Sequence, residues 1–282
     1  MRFLYILAEP IAYITRPIYN LVDNYGLTLI IVTILIRLLT IPLTFMSQKS
    51  ATKTQLLQPE IAKIQQKYKN DKEKMSTELQ KLYTKNDINP MGGCLPLIVQ
   101  MFILFGFINV VYNPLQYILQ LTPDQIESIK NSVGAGMSTY QVTLCGMAGV
   151  KEQIIELGKT PINFNFLGID LTGMLKGNLG DIKMWIFPAL AVIATVITSY
   201  MTKKQTSAQA DSNQSAAGMS NSMMMIMPVM TAYFTYIMPA GMSLYWFIST
   251  AVQIVQQYFI NIIVKKDTEN TLPKGKKKNE SH

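Results

Sequence analysis

The sequence predicts an all-α polytopic membrane protein with five transmembrane helices, a cytoplasmic helical hairpin and an N-terminal interfacial helix. Hydrophobic residues make up 49% of the 282 residues. They are concentrated in blocks of about 20 residues, the length that crosses a bilayer as an α-helix. The lysines cluster in the connections between some of these blocks, and such clusters are typical of the cytoplasmic side.

The apolar blocks place the transmembrane helices. The first three spans are expected at residues 27–46, 93–112 and 184–201, and a longer apolar tract covers residues 223–264. This tract is too long for one crossing, and its Pro239-Ala240-Gly241 sequence is suited to a tight turn. We therefore expect a fourth and a fifth helix, antiparallel to each other, within residues 223–264.

The polar segments complete the predicted domain organisation. Residues 1–26 are expected to lie on the extracellular membrane surface, because proline and charged residues interrupt their apolar run before a signal sequence is complete. A retained signal-like anchor is the less favoured alternative. The remaining segments are a cytoplasmic helical hairpin (47–92), an extracellular loop region (113–183), a flexible cytoplasmic loop (202–222) and a basic cytoplasmic tail (265–282).

Local patterns add detail to two of these connections. In residues 47–92, two sets of apolar residues at helical spacing flank Asn70-Asp71 and predict an antiparallel helix pair: Leu57, Ile61, Ile64 and Tyr68, then Met75, Leu79 and Leu82. We favour a functional appendage over a solvated spacer. In residues 113–183, Thr122-Pro123-Asp124 predicts a helix start, whereas residues 134–149 resemble a loop.

Charge and cysteine content bear on DNA binding, disulfide formation and cofactor binding. The net charge of +8 follows the predicted topology, with the N-terminus outside and the C-terminus in the cytoplasm, so we expect no DNA binding. Cys94 falls in a predicted span and Cys145 in the extracellular region, which makes a disulfide between them improbable. No metal or cofactor is expected.

Arg37 is the most informative single residue. It stands about ten residues into the first span, which at about 1.5 Å per residue places it near the middle of the bilayer. Such a charge costs about 2.5 to 3.5 kcal/mol or more, and no other predicted span contains a carboxylate to neutralise it. Water or a polar cavity must therefore reach Arg37.

Polar residues on several spans could line that cavity. Thr33, Arg37 and Thr40 share one face of the first helix, because they are separated by four and three residues. A similar stripe runs along the last helix. The predicted groove residues are Arg37, Thr33, Thr40, Gln100, Thr198, Trp246, Ser249 and Gln253. An isolated Thr at a helix interface often serves packing alone, so Arg37 carries most of this inference.

The sequence gives little support for an enzymatic function. The one histidine is His282, and phosphate-binding glycine loops, H-E-x-x-H and G-x-S-x-G motifs are absent from the sequence. The main alternative is a channel or secondary transporter for a small anion. Internal repeats would favour a transporter, and the unequal spans give no sign of them.

Three motifs resemble signatures of the YidC/Oxa/Alb insertase family. They are Asn89-Pro90-Met91-Gly92-Gly93-Cys94-Leu95-Pro96-Leu97 with Gln100-Met101, then Met227-Pro228, then Pro239-Ala240-Gly241-Met242-Ser243-Leu244-Tyr245-Trp246. The resemblance runs from about residue 18 to residue 264 and includes Arg37 at the position of the bacterial family's arginine. It is closest to the Gram-positive type, although an enlarged 113–183 region departs from that pattern.

The resemblance implies an insertase of the bacterial plasma membrane. Its groove would open to the cytoplasm and to lipid, would be closed to the outside, and would admit the hydrophilic tail of a nascent membrane protein. Further expected partners are membrane lipids and, as hypotheses, the Sec translocon and the ribosome, the latter through the hairpin and the lysine-rich tail. The absence of a lipoprotein cysteine predicts an uncleaved N-terminus.

Overall fold

The computed structural model describes residues 2–86, 95–136, 139–206 and 214–271. The motif residues 89–94, with Cys94, and the end of the tail lie outside these ranges. The helices are α1 (Arg2–Val22), α2 (Tyr25–Leu39), α3 (Ile41–Leu56), α4 (Gln58–Lys67), α5 (Lys72–Lys85), α6 (Leu95–Tyr112), α7 (Pro114–Tyr117), α8 (Pro123–Ser132), α9 (Gln141–Cys145), α10 (Val150–Glu156), α11 (Ile186–Thr206), α12 (Gln214–Ile237) and α13 (Ala240–Thr271). Strands β1 (Asn165–Phe166) and β2 (Ile169–Asp170) precede α11, as do two 3₁₀ turns, Leu175–Gly177 and Ile182–Trp185.

The apolar helices fit the predicted all-α membrane protein. Within the described residues, two segments are long and apolar enough to span a bilayer, one bent pair would make a third span, and two apolar segments are shorter. The two long segments are Ile182–Thr202 and Ala240–Val264, and the bent pair is Tyr25–Leu39 with Ile41–Thr54. The shorter segments are Ile98–Tyr112 and Ile226–Ile237. These segments overlap the five predicted spans, and the count of five remains a prediction.

The first predicted span is bent rather than continuous. Its two halves, α2 and α3, meet at Thr40 at an angle of 52°. Pro42 explains the bend, because a proline has no N–H for the helical bond to Leu38 and its ring crowds that carbonyl group. The apolar pattern alone did not indicate where the helix would break.

Helix α13 lies at the centre of the bundle. It packs against α2, α3 and α11, while α11 packs against α12 and α1 packs against α6 and α2. Helix α1 packs on one side: Ala8, Ile11 and Ala12 are buried, whereas the hydrophobic residues Tyr13 and Leu21 are exposed. This asymmetry agrees with an interfacial helix, and its position at a membrane surface remains a prediction.

The 113–183 region is largely folded. Helix α8 begins at the Thr122 capping box, as the sequence predicted. Residues 134–149, which we expected to be a loop, include the short helix α9, because Val142 and Leu144 are drawn into the core. The buried residues of this region join those of the bundle in one hydrophobic core, so the region is part of the main fold.

Two cytoplasmic segments were also predicted. Residues 202–206 and 214–222 lie in α11 and α12, residues 207–213 lie outside the described ranges, and the flexible loop at 202–222 stays a prediction. Helices α4 and α5 pack on each other through Leu57 and Ile61, against Leu79, Leu82 and Tyr83. This cluster is separate from the main core.

Candidate functional site

Arg37 is held inside the bundle by α13. Its side chain is buried, and Nη2 donates hydrogen bonds to Ser249 Oγ at 2.6 Å and Gln253 Oε1 at 3.3 Å. Nε donates to the same Ser249 oxygen at 3.2 Å. Ser249 and Gln253 stand four residues apart and therefore face α2 together. Among the described residues, no hydrogen bond uses Nη1, which remains available to an acceptor in the cavity.

No carboxylate in the described part of the chain forms an ion pair with Arg37. Helices α2, α6, α11 and α12 contain no Asp or Glu, and α13 has none before Asp267. The partners of the guanidinium are neutral oxygens. They orient the positive charge without neutralising it, so the site attracts anionic groups.

The backbone of Arg37 is also tied to α13. Gln256 Nε2 donates a 2.7 Å hydrogen bond to the Arg37 carbonyl oxygen, which also accepts from Thr40 Oγ1 at 3.0 Å. These bonds lie just before the bend at Thr40. Gln256 therefore satisfies a carbonyl group at the point where the regular helix ends.

A cavity of about 500 Å³ lies beside Arg37. It is lined by residues of α2, α6, α11, α12 and α13, and most of the side chains carry hydroxyl or amide groups. The lining residues are Arg37, Gln100, Leu104, Thr195, Thr198, Ser199, Thr202, Met227, Thr231, Tyr245, Trp246, Ser249, Thr250 and Gln253. At about 30 Å³ per water molecule, this cavity has room for about 17 waters.

A second cavity, of about 20 Å³, adjoins Arg37. Thr33 and Thr40 line it together with Gln100, Tyr245 and Ser249. Thr33 is almost fully buried and donates to the Leu29 carbonyl oxygen at 2.6 Å. Its hydroxyl is thus satisfied within its own helix.

The structure brings all eight predicted groove residues together. Six line the larger cavity, and Thr33 and Thr40 line the smaller one. The eight predicted residues leave out other residues that line the larger cavity: Leu104, Thr195, Ser199, Thr202, Met227, Thr231, Tyr245 and Thr250. Thr250 was detectable, since it stands four residues after Trp246 on the same helix face.

Tightly packed residues close the end of the bundle at which α2 begins. Tyr25, Val111 and Leu171 are fully buried, and Tyr25 Oη donates to the Val111 carbonyl oxygen at 3.0 Å. The turn between α12 and α13 is bound to the 113–183 region. Gly241 N donates to the Leu171 carbonyl at 3.1 Å and Ala240 N to the Gly173 carbonyl at 2.8 Å.

The site contains no evident metal ligands. Across the described ranges, no group of three or more His, Cys, Asp or Glu is placed to hold a metal ion. The side chains around the cavity offer hydroxyls, amides and one guanidinium. These groups bind by hydrogen bonding and charge.

Comparison with known proteins agrees with this architecture. The family described as 60Kd inner membrane protein matches residues 17–267. The membrane protein insertase YidC of Fusobacterium nucleatum is 28% identical over 261 residues, covering 92% of this chain and 98% of that protein. The YidC insertase of Clostridium perfringens is 31% identical over 254 residues, covering 88% of this chain and 83% of that protein. That of Syntrophobacter fumaroxidans is 30% identical over 255 residues, covering 90% of this chain and 38% of that protein.

Proposed function

Because the chain belongs to the 60Kd inner membrane protein (YidC/Oxa/Alb) family and is a membrane protein insertase, we propose that it inserts proteins through the cavity beside Arg37. The protein is integral to a bacterial membrane. Its substrates are nascent membrane proteins, as the names of its relatives indicate. Inserting a protein into the membrane requires binding and release of the substrate, so no covalent catalysis is needed.

The buried charge of Arg37 carries the proposal. A guanidinium bonded only to neutral oxygens attracts an acidic group, and the low polarity around it strengthens that attraction. Hydroxyl and amide groups from α11 and α13 offer hydrogen bonds to a polypeptide backbone that has left water. A short hydrophilic tail therefore finds partners there, while its apolar segment moves into lipid at the groove's edge.

The proposed topology has five spans. The bent pair α2–α3 and the helices α6, α11, α12 and α13 supply them, with the N-terminus outside and the C-terminus in the cytoplasm. The lysines of α4, α5 and the tail then lie on the cytoplasmic side. Association with the ribosome through these lysines, and cooperation with the Sec translocon, are further parts of the proposal.

A secondary transporter would be favoured by internal repeats, of which the sequence gives no sign. An anion channel would need a path through the whole bundle. The packing of Tyr25, Val111 and Leu171 at the end of the bundle does not favour such a path. An insertase needs the cavity to open only to the side where its substrate is made.

Reconstituted insertion tests the proposed function. The purified protein is placed in phospholipid vesicles and given a newly synthesised single-span protein with a short acidic tail. We expect the tail to become protected from added protease, with little protection in vesicles without the protein. Equal protection in both kinds of vesicle would overturn the proposal.

A further inference from the structure

The β1–β2 hairpin presents an apolar residue at a strained position. Strands Asn165–Phe166 and Ile169–Asp170 are joined by the two-residue turn Leu167-Gly168. Both turn residues have positive φ, +54° and +75°, which is the geometry of a type I′ turn. Asn-Gly is the favoured pair there, and leucine at the first position is strained. Leu167 is nevertheless 80% exposed, so protein packing does not compensate for the strain.

The hairpin is fixed at the ends of two apolar helices. Asn24, which caps α2, donates from Nδ2 to the Asn165 carbonyl oxygen at 2.9 Å. The ring of Phe166 packs against Gly26, where an added Cβ would collide with it, and stacks with Phe187 of α11 at 6.2 Å between centroids. The turn therefore lies where α2 and α11 begin.

The neighbouring surface has the composition of a membrane interface. Ile182 is 83% exposed and Trp185 44% exposed, immediately before α11. The Lys183 ammonium lies 3.9 Å from the position that a Cβ on Gly168 would take. Tryptophan is enriched at the boundary between lipid and water, and lysine there faces the headgroups.

We propose that Leu167, with Ile182 and Trp185, inserts into the lipid leaflet that borders the start of α2 and α11, with Lys183 facing phosphate headgroups. The surface is continuous with the candidate span Ile182–Thr202, which argues for lipid as its occupant. Burial of Leu167 in lipid offsets both its exposure and its strain. The 113–183 region is thereby anchored to the membrane independently of any substrate.

Fluorescence quenching measures the depth of the turn. The full chain, with Cys94 and Cys145 replaced by alanine, receives an environment-sensitive probe at Leu167→Cys or, as the aqueous control, at Glu156→Cys on the exposed side of α10. In vesicles of phosphatidylethanolamine and phosphatidylglycerol with nitroxide-labelled acyl chains, we expect several-fold stronger quenching at position 167. Equal quenching at the two positions would overturn the proposal. A turn covered by another protein or by a second copy of the chain would give this result.

Amide exchange of the hairpin gives a test without a probe. Leu167→Asn places the favoured Asn-Gly pair in the turn and by turn chemistry alone should slow exchange of residues 165–170. If lipid holds Leu167, exchange in vesicles becomes several-fold faster in Leu167→Asn than in the wild type. Slower exchange in Leu167→Asn than in the wild type, as turn chemistry alone predicts, would show that lipid contributes nothing at this position.

Discussion

Arg37 is the one charged residue of α2, and at the scale of single residues its environment explains how it can be buried. Three hydrogen bonds to Ser249 and Gln253 satisfy part of the guanidinium, and the adjoining cavity leaves the rest open to water or substrate. Each hydrogen bond to a charged group contributes about 1.5 to 3 kcal/mol. One or two such contributions match the insertion cost of about 2.5 to 3.5 kcal/mol, so the bundle tolerates a buried arginine at this position.

Replacing Arg37 tests its role as an attractant for acidic tails. Arg37→Ala removes the charge, and we expect insertion of acidic-tailed substrates to fall about tenfold or more, which corresponds to about 1.4 kcal/mol. Arg37→Lys keeps a charge but loses the guanidinium geometry, and should retain part of the activity. Wild-type insertion of acidic-tailed substrates by Arg37→Ala would contradict the proposed role.

Gln256 tests the support of the arginine backbone. Gln256→Ala removes the 2.7 Å hydrogen bond to the Arg37 carbonyl oxygen, and we expect a loss of about 1 kcal/mol in the free energy of unfolding in detergent. The exposed neighbour Val255 provides the control, since Val255→Ala should change stability little. Similar losses for the two variants would show that the bond to Arg37 contributes nothing measurable.

At the scale of elements, the bend between α2 and α3 is attributed to Pro42. Pro42→Ala restores a donor for the Leu38 carbonyl, so the helix should straighten from its 52° bend. Spin labels at Leu27→Cys and Ala51→Cys report the change, because straightening lengthens their separation by about 4 Å at a rise of about 1.5 Å per residue.

The control for the bend is Pro114→Ala. Pro114 is the first residue of α7, where no helical hydrogen bond is available to be gained, so the distance between the labels should stay unchanged. An unaltered distance in Pro42→Ala would show that packing against α13 holds the bend without the proline.

The α4–α5 pair is expected to unfold separately from the bundle. Ile61→Ala removes a buried contact with α5 and should cost about 2 kcal/mol locally. Amide exchange should become faster in α4 and α5 and stay unchanged in α11 and α13. Gln66→Ala, at an exposed position of the same helix, is the matched control, and faster exchange throughout the bundle would contradict separate unfolding.

At the scale of the whole molecule, sequence patterns predicted the apolar helices better than the connections. The eight polar residues adjoin two neighbouring cavities, as expected because the cost of burying Arg37 requires polar neighbours at helical spacing, and their role in a groove stays a prediction. The folding of α9 was not predictable, because it depends on tertiary contacts. The bend at Thr40 was missed although Pro42 marks it in the sequence. The hydrogen bond between Gln256 and Arg37 also joins residues distant in the sequence, and a single sequence does not reveal such pairs.

The packing at the closed end gives the 113–183 region a place in the proposed mechanism. Leu171 and Gly173 accept hydrogen bonds from the turn between α12 and α13, and Leu171 is buried beside Tyr25 and Gly241. An insertase needs such a seal, because a groove open on both sides would let ions pass. The central claim is therefore that the cavity is accessible from the cytoplasmic side alone.

Thiol labelling from each side of the membrane tests that claim most directly. Cys145 is buried, and burial raises the pKa of its thiol, but both native cysteines are replaced by alanine to remove any background. Single cysteines are then introduced at Thr198 in the cavity, at Lys72 in α5 and at Glu156 in α10. A membrane-impermeant reagent should label Thr198→Cys only from the side that labels Lys72→Cys. Labelling of Thr198→Cys from the side of Glu156→Cys as well would reveal a continuous pore and contradict the account.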